Sequence, residues 1–293
     1  MTKTFDTLLQ EEIIESVRIA LKEDLGGTTP LDVSADITAQ LIPAKQQLTA
    51  TLITREPCVF VGKAWINQVF EQLDPTINIR WHAQDGDTLD NNATICEISG
   101  SARIILIGER TAMNFTQTLS GTATQTANYV ALLKGSSTEL LDTRKTIPGL
   151  RYAQKYAVTC GGGRNHRIGL FDAFLIKENH IMACGSIASA VATAKQQAPN
   201  KLVEVEVESL TELQAAIDAQ ADVIMLDNFS LADTQTAVQI TNKRAKLEVS
   251  GNITNEHLSQ LAAVGVDYIS SGAITKHVQA IDLSLRVTSI QDN

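Results

Sequence analysis

Arg144, Lys145, Arg151, Lys155, Arg164, His166 and Arg167 all fall in "LLDTRKTIPGLRYAQKYAVTCGGGRNHR", residues 140–167, and after Asp142 that stretch has no Asp or Glu, although the chain's formal net charge is -9. An acidic protein that gathers cations in one place builds a pocket for a small anion, and the planar fork of arginine suits a carboxylate. Arg144 and Lys145 stand at the end of the apolar run "ELLDT", Lys177 follows "AFLI", and His166 and Arg167 follow the triplet Gly161-Gly162-Gly163. Arg151 and Lys155, four apart on an expected helix, read instead as a solvated face. Glu206 lies near the end of "LVEVEV" and Asp227 follows "VIML". Carboxylates on neighbouring strands suit Mg²⁺ or the hydroxyls of a sugar. Ser250-Gly251 and Ser271-Gly272 each close an apolar run, and such turns before a helix present backbone N–H donors to a phosphate. Together these residues describe a site for a phosphorylated sugar beside a small polycarboxylate.

Something must bring residues so far apart in sequence to one place. From residue 139 onward, "ELLDT", "AFLIK", "LVEVEV", "DVIMLD", "KLEVSG" and "DYISSG" read as short buried parallel strands. Between them, "SIASAVATAKQQAP", "SLTELQAAIDAQ", "SLADTQTAVQITNKR" and "TNEHLSQLAAVG" read as amphipathic helices. Ser209, Ser230 and Thr254 or Asn255 are their expected N-caps, and Pro199 and Gly265 are stop signals. Serial βα units form a closed barrel or an open doubly wound sheet, and in both the strands' carboxyl ends carry the function. Glu204, Glu206 and Glu208 alternate with Val and share one face; on an edge strand that face would be wet.

The earlier part is α+β in pattern. "LTATLITREPCVFVG" suggests a strand pair around a turn at Pro57, "KAWINQVFEQL" a helix, and "INIRWHAQDGDTL" and "ATICEISG" further strands with turns at Asp85-Gly86 and Gly100. The segment "ARIILIGERTAMNFTQTLSGTATQTANYVALL" has helical periodicity and links the two parts as one or two helices. His82 and His257 read as surface residues.

Composition excludes several classes. A pI near 5.1 argues against a nucleic-acid surface. No apolar run is long enough for a membrane span, and the acidic "MTKTFDTLLQEEIIES" is unlike a signal peptide, so a cytoplasmic protein is expected. Cys58, Cys96, Cys160 and Cys184 are irregularly spaced, which fits free thiols rather than a metal pair or a disulfide framework.

Nearly the whole chain resembles the quinolinate phosphoribosyltransferases. "ERTAMNFTQTLSGTAT" is similar to their interdomain helix, "DTRKTIPGLR" and "GGGRNHRIGLFDAFLIKENH" to their substrate loops, and "VEVEVESL", "IMLDNF", "EVSGNI" and "ISSGAITKHVQAIDLSL" to their sugar and phosphate strands. The resemblance implies an α/β protein: an amino-terminal sandwich of residues 1–116 completed by the tail 281–293, and an incomplete α/β barrel over 117–280. It implies a homodimer in which Arg110 enters the neighbouring subunit's site. With that Arg110, Arg144, His166, Arg167 and Lys177 would hold the two carboxylates of quinolinate, and Lys145 would lie between the substrates. Glu206 and Asp227 would address the ribose hydroxyls and Mg²⁺ of phosphoribosyl pyrophosphate. Ser250, Gly251, Ser271, Gly272 and Lys276 would surround the 5-phosphate. Two motifs depart from the common form: "SGNI" stands for SGGI, and "GAITKH" places Lys276 where a His is usual. "EDLGGTTPLDVSADIT" is longer than the compact EDLGxGDIT. Three other readings of the same residues are a paralogue with another acceptor acid, a Schiff-base barrel aldolase using Lys145 or Lys177, and a polyanion-binding module with residues 144–167 as a surface patch.

Overall fold

The computed structural model describes residues 3–27, 29–251 and 255–291. Its elements in chain order are α1 (Phe5–Asp24), β1 (Gln47–Thr54), β2 (Cys58–Val59), α2 (Lys63–Leu73), β3 (Asn78–Trp81), β4 (Thr88–Leu89), β5 (Thr94–Ser101) and α3 (Ala102–Leu132). There follow β6 (Glu139–Leu141), α4 (Arg151–Cys160), β7 (Phe174–Ile176), α5 (Glu178–Cys184), α6 (Ile187–Gln197), β8 (Val203–Val207), α7 (Leu210–Asp218), β9 (Val223–Asp227) and α8 (Leu231–Thr241). The last are β10 (Lys246–Ser250), α9 (Asn255–Val264), β11 (Tyr268–Ser270), α10 (Ala273–Lys276) and β12 (Leu283–Gln291). Two compact units result: residues 1–127, 146–162 and 276–293, and residues 128–145 and 163–275.

The first unit is built on an antiparallel sheet in the order β12-β1-β5-β3. Leu48, Ala50 and Leu52 alternate inward from β1, and the core beneath them holds Phe60, Trp65, Ile66, Phe70, Ile95 and Ile98. The expected strand pair around Pro57 does not form, because β1 takes β12 and β5 as its neighbours while β2 pairs with β4. Gly100 is no turn either; it lies within β5, opposite Leu48, at φ +147. A Cβ there would meet Ile77 Cδ1 at 2.6 Å, so glycine lets the Ile77 side chain lie against the strand. The linking segment is one continuous helix, α3. Gly121 lies inside it where a Cβ would stand 2.2 Å from the Gln279 carbonyl, so the bare backbone admits that close approach.

Segment 146–162, on the barrel side of the expected division, belongs to the first unit. Its α4 is capped from afar. Both carboxylate oxygens of Glu12 on α1 accept from the Tyr152 and Ala153 N–H groups, at 3.1 and 2.7 Å, where an α4 that begins after Leu150 has no side-chain cap of its own. The expected solvated face of α4 is a correction: Lys155 is fully buried and Arg151 half-buried. The helix packs against α1 on one side, so residues four apart need not both reach water.

The second unit is a parallel sheet in the order β6-β11-β10-β9-β8-β7, all six strands being those read from the sequence. Ser186, Ser209 and Ser230 cap α6, α7 and α8 through their side-chain oxygens, while Thr254 lies outside the described residues. The pairing register sorts each strand into two faces. Glu204 lies opposite Val223 and Leu175, Glu206 opposite Met225, Ser250 opposite Asp227, Glu248 opposite Met225 and Tyr268, and Ser270 opposite Leu141. One face therefore carries nearly all the polar strand residues. The other carries Val203, Val205, Val207, Ile224, Leu226, Leu247, Val249 and Ile269, all buried; Val203, Val205 and Val207 lie on the side packed by α6 and α7.

The sheet is curled. The segment holding Arg164 bridges Leu141 of β6 in parallel. From there His166 reaches Glu204 on β8 at 2.8 Å and Glu248 on β10 at 3.5 Å. In a flat sheet β6 and β8, four strand spacings apart, would be separated by roughly 19 Å. The polar face is thus the inside of an incomplete barrel, and Glu204 lies on β8, an interior strand.

Candidate active site

Period-two alternation decides what reaches the mouth of this barrel. Lys177 follows β7, Glu206 and Asp227 stand near the ends of β8 and β9, and Ser250 ends β10. All lie on the polar face. Lys177 Nζ donates to Glu206 Oε2, tying the first two strands of the rim together. Asp227 Oδ2 accepts from Asn228 Nδ2 at 3.0 Å. The pair offers hard carboxylate oxygen from neighbouring strands, the donor type Mg²⁺ prefers. Two carboxylates are fewer ligands than Mg²⁺ needs, so a Mg²⁺ held here would take the rest of its shell from substrate phosphate and water, the usual arrangement for that ion.

Across the rim the turn after β11 closes on the loop after β6. Ser271 N donates to Leu141 O at 3.0 Å, and Thr275 Oγ1 donates to Lys145 O at 2.9 Å. A Cβ on Gly272 would sit 2.7 Å from Lys145 Cδ and 3.2 Å from Thr143 Oγ1. Only a glycine lets the Lys145 side chain lie over that turn. The buried Ser271 hydroxyl accepts from Ala273 N at 3.3 Å and is engaged in shaping the start of α10. Gly251 has φ +144, and a Cβ would meet Asn228 Oδ1 at 3.1 Å, so this turn also needs its glycine. Asn252 of the "SGNI" departure lies outside the described residues.

The loop 164–167 is fixed by Asp142, fully buried at the end of β6. Its oxygens accept from His166 N at 2.9 Å and Asn165 Nδ2 at 2.7 Å. This sets Arg167 and Arg144 close enough to repel. Burial, and then the charge of Arg144, push the Arg167 guanidinium below its ordinary range, while Glu204 and Asp172 oppose them. Arg144 Nε is buried with no hydrogen-bond partner. Two crowded guanidinium groups, one with an unsatisfied buried donor, are the complement of an anion carrying more than one carboxylate.

Not every basic residue of 140–167 takes part. Arg164 is exposed, paired with Glu139 at 2.7 Å and placed over the Tyr268 ring at 5.9 Å. Arg151 and Lys155 belong to α4 of the first unit. Exposed Arg110 on α3 and exposed Lys276 at the end of α10 also fall in the first unit, outside the group that the second unit gathers. His166 is in place, yet its Nε2 points inward to Glu204 and Glu248 rather than towards open solvent.

Glu248 and Asp142 were not singled out from the sequence, and Glu204 only as a residue on the face of Glu206. Their signal was present: each is a carboxylate set among, or directly after, the apolar residues of a short strand. Glu248 is pushed up to about 8 by burial and then by the charge of Glu204, with His166 acting the other way. His166, Glu204 and Glu248 line a cavity of about 300 Å³ together with Arg164, Arg167, Asp172 and Tyr268.

A curled parallel sheet with a cationic sector, a paired-carboxylate sector and two glycine turns on one rim defines an α/β-barrel enzyme for small anionic substrates. Comparison with known proteins gives the particular family. Residues 36–120 match the quinolinate phosphoribosyl transferase N-terminal domain and residues 122–286 its C-terminal domain. A probable nicotinate-nucleotide pyrophosphorylase (carboxylating) of Bacillus subtilis is 42% identical over 91% of this chain and 90% of its own length. The nicotinate-nucleotide pyrophosphorylase (carboxylating) of Mycobacterium leprae is 38% identical, covering 92% of this chain and 95% of its own. The solved structure of the nicotinate-nucleotide pyrophosphorylase from Francisella tularensis superposes with a TM-score of 0.89 at 52% identity, over 95% of this chain and 97% of that one. The chain belongs to the quinolinate phosphoribosyltransferase family.

Proposed function

We propose that this protein transfers the phosphoribosyl group of phosphoribosyl pyrophosphate to quinolinate with loss of CO₂, giving nicotinate mononucleotide and pyrophosphate in NAD biosynthesis. The observation that carries the reading, beyond family membership, is the crowding of Arg144 and Arg167 with an unsatisfied buried Arg144 donor. Those charges are best relieved by a ligand with two carboxylates. Of the two lysines of the Schiff-base alternative, Lys177 is ion-paired with Glu206, which disfavours it as an amine nucleophile, since that must be neutral; borohydride trapping with a ketose substrate tests Lys145.

Quinolinate held by Arg144, His166, Arg167 and Lys177, with Arg110 from a second subunit, aims its ring nitrogen at C1 of the ribose. Orientation of this kind is worth about 7–11 kcal/mol of barrier. The nitrogen already has its lone pair, so no general base is required. Glu206 and Asp227 stabilise positive charge on the ribose and hold its hydroxyls. The same two carboxylates would hold Mg²⁺, which when bound would supply neutralisation of the leaving diphosphate. The turns at Ser250-Gly251 and Ser271-Gly272, with Lys276, take the 5-phosphate. Lys145, lying over Gly272, sits where acceptor and sugar meet, and it protonates C2 once the carboxylate has left as CO₂. A homodimer supplies Arg110. A cytoplasmic setting suits the free thiols of Cys58, Cys96, Cys160 and Cys184, and no helix among the described residues is long and apolar enough to cross a membrane.

The test is pyrophosphate release from phosphoribosyl pyrophosphate with quinolinate or nicotinate as acceptor. Turnover with quinolinate and none with nicotinate is expected. Equal turnover with both would refute the two-carboxylate pocket.

A further inference from the structure

Inside the barrel, His166 meets two buried carboxyl groups, Glu204 and Glu248, that the proposed reaction does not use. His166 Nε2 lies 2.8 Å from Glu204 Oε2 and 3.5 Å from Glu248 Oε2, and the two carboxyl side chains are only 4% and 1% exposed. On each, the second oxygen, Oε1, is buried without a hydrogen-bond partner. The backbone of His166 is pinned by Asp142. The ring therefore has little freedom to turn, and the carboxylates come from β8 and β10 in the layer below Glu206 and Ser250.

Hydrogen-bond chemistry limits what such a ring can do. A nitrogen facing a carboxylate must carry a proton, so Nε2 is the donor to Glu204. Whatever His166 gives a substrate it must then give through Nδ1. A neutral imidazole protonated at Nε2 has a bare lone pair at Nδ1, which repels a substrate carboxylate. Only the imidazolium donates from both nitrogens.

We propose that Glu204 is a positioning residue for the acceptor acid: from inside the barrel its carboxylate grips Nε2 of His166, so that the ring meets the substrate carboxylate through Nδ1–H as a charged donor. This rests on the function proposed above. Distance singles out Glu204: its Oε2 is the nearer of the two carboxyl oxygens to Nε2, at 2.8 Å against 3.5 Å for Glu248, and Glu248 is itself pushed up to about 8 by burial and then by the charge of Glu204. The other charged or titratable groups lining the same cavity are Arg164, Arg167, Asp172 and Tyr268. Arg164 is already paired with Glu139, and Asp172 accepts from Ile168 N at 2.8 Å.

Glu204→Gln keeps the shape and removes the charge. The expected result is a quinolinate KM raised about tenfold or more at pH 8, the scale of one charge-assisted hydrogen bond, with the phosphoribosyl pyrophosphate KM unchanged. The deficit should shrink at pH 6, where an imidazole protonates without help. A quinolinate KM equal to wild type at pH 8, or an equal rise for both substrates, would overturn the proposal. A second measurement needs neither substrate nor variant activity. In the wild-type full chain labelled with ¹⁵N-histidine, and assigned with His166→Asn, both ring nitrogens of His166 should be protonated at pH 7.5. A neutral ring there would overturn the idea, as would one equivalent of zinc or manganese per purified chain that is lost in Glu204→Gln. Failure of the proposed function would appear separately, as absent turnover in the wild type with the imidazolium still present.

Discussion

Replacing Glu248 with Gln should make the protein more stable at pH 8 and change it little near pH 5. In the folded protein burial and the neighbouring Glu204 hold this carboxyl at about 8, against an ordinary value of 4.5. Below 4.5 both folded and unfolded chains carry the proton, and the contribution to stability is complete. Between 4.5 and 8 the unfolded chain releases a proton that the folded chain keeps, so stability falls as pH rises, by roughly 1.4 kcal/mol per pH unit. The ceiling at pH 8 is ~5 kcal/mol, reduced to a few kcal/mol by readjustment of Glu204 and His166. Gln mimics the protonated acid, its amide can donate to the unpartnered Glu204 Oε1, and it has no proton to lose. Urea and thermal unfolding of both proteins at pH 5, 6, 7 and 8 should therefore show a gap that widens with pH, reaching several degrees in Tm at pH 8. A gap that is constant with pH, or a wild type more stable than the variant at pH 8, would refute the reasoning.

Phthalate should raise Tm clearly more than benzoate at equal concentration, because only a diacid relieves both Arg144 and Arg167; equal shifts count against the two-carboxylate pocket. Gly272→Ala should fold, yet lower kcat about tenfold, since the new Cβ must displace Lys145 Cδ from 2.7 Å; unchanged kcat in steady-state assays would separate Lys145 from the chemistry. Lys145→Ala should slow turnover and alter solvent isotope incorporation at C2 of the product, and normal values of both exclude the lysine as proton donor. Arg110→Ala and Arg144→Ala should each be inactive alone but recover up to about a quarter of wild-type activity when subunits are mixed, because half of the dimers are then hybrids with one complete site. No recovery in hybrids verified by mass spectrometry would place Arg110 within its own subunit's site, or outside the site altogether.

Order along the strands was legible without coordinates. Six short apolar runs, each ending in a polar or glycine residue, announced a parallel sheet, and the side-chain period of two placed Glu206 on the same face as Glu204. Caps were equally local: Ser209 and Ser230 accept from the backbone N–H three residues ahead. What a neighbour supplies was not legible. Whether Lys155 meets water depends on what packs over α4, so helical spacing alone misjudged it. Strand partners are likewise non-local, and β2 joined β4 instead of β1 although a turn stood ready at Pro57. Gly100 looked like punctuation, but its role is to lie against Ile77.

The chemical kinds of group at the site followed from amino-acid types and periodicity alone, because a strand fixes the direction of each side chain by parity. Curling of the sheet did not. It brings the loop beside β6 across to β8 and β10, and so turned Glu204 and Glu248 into the buried acid pair that His166 meets. Burial then pushed Glu248 up to about 8, an effect of the surrounding low-dielectric interior that no stretch of sequence contains.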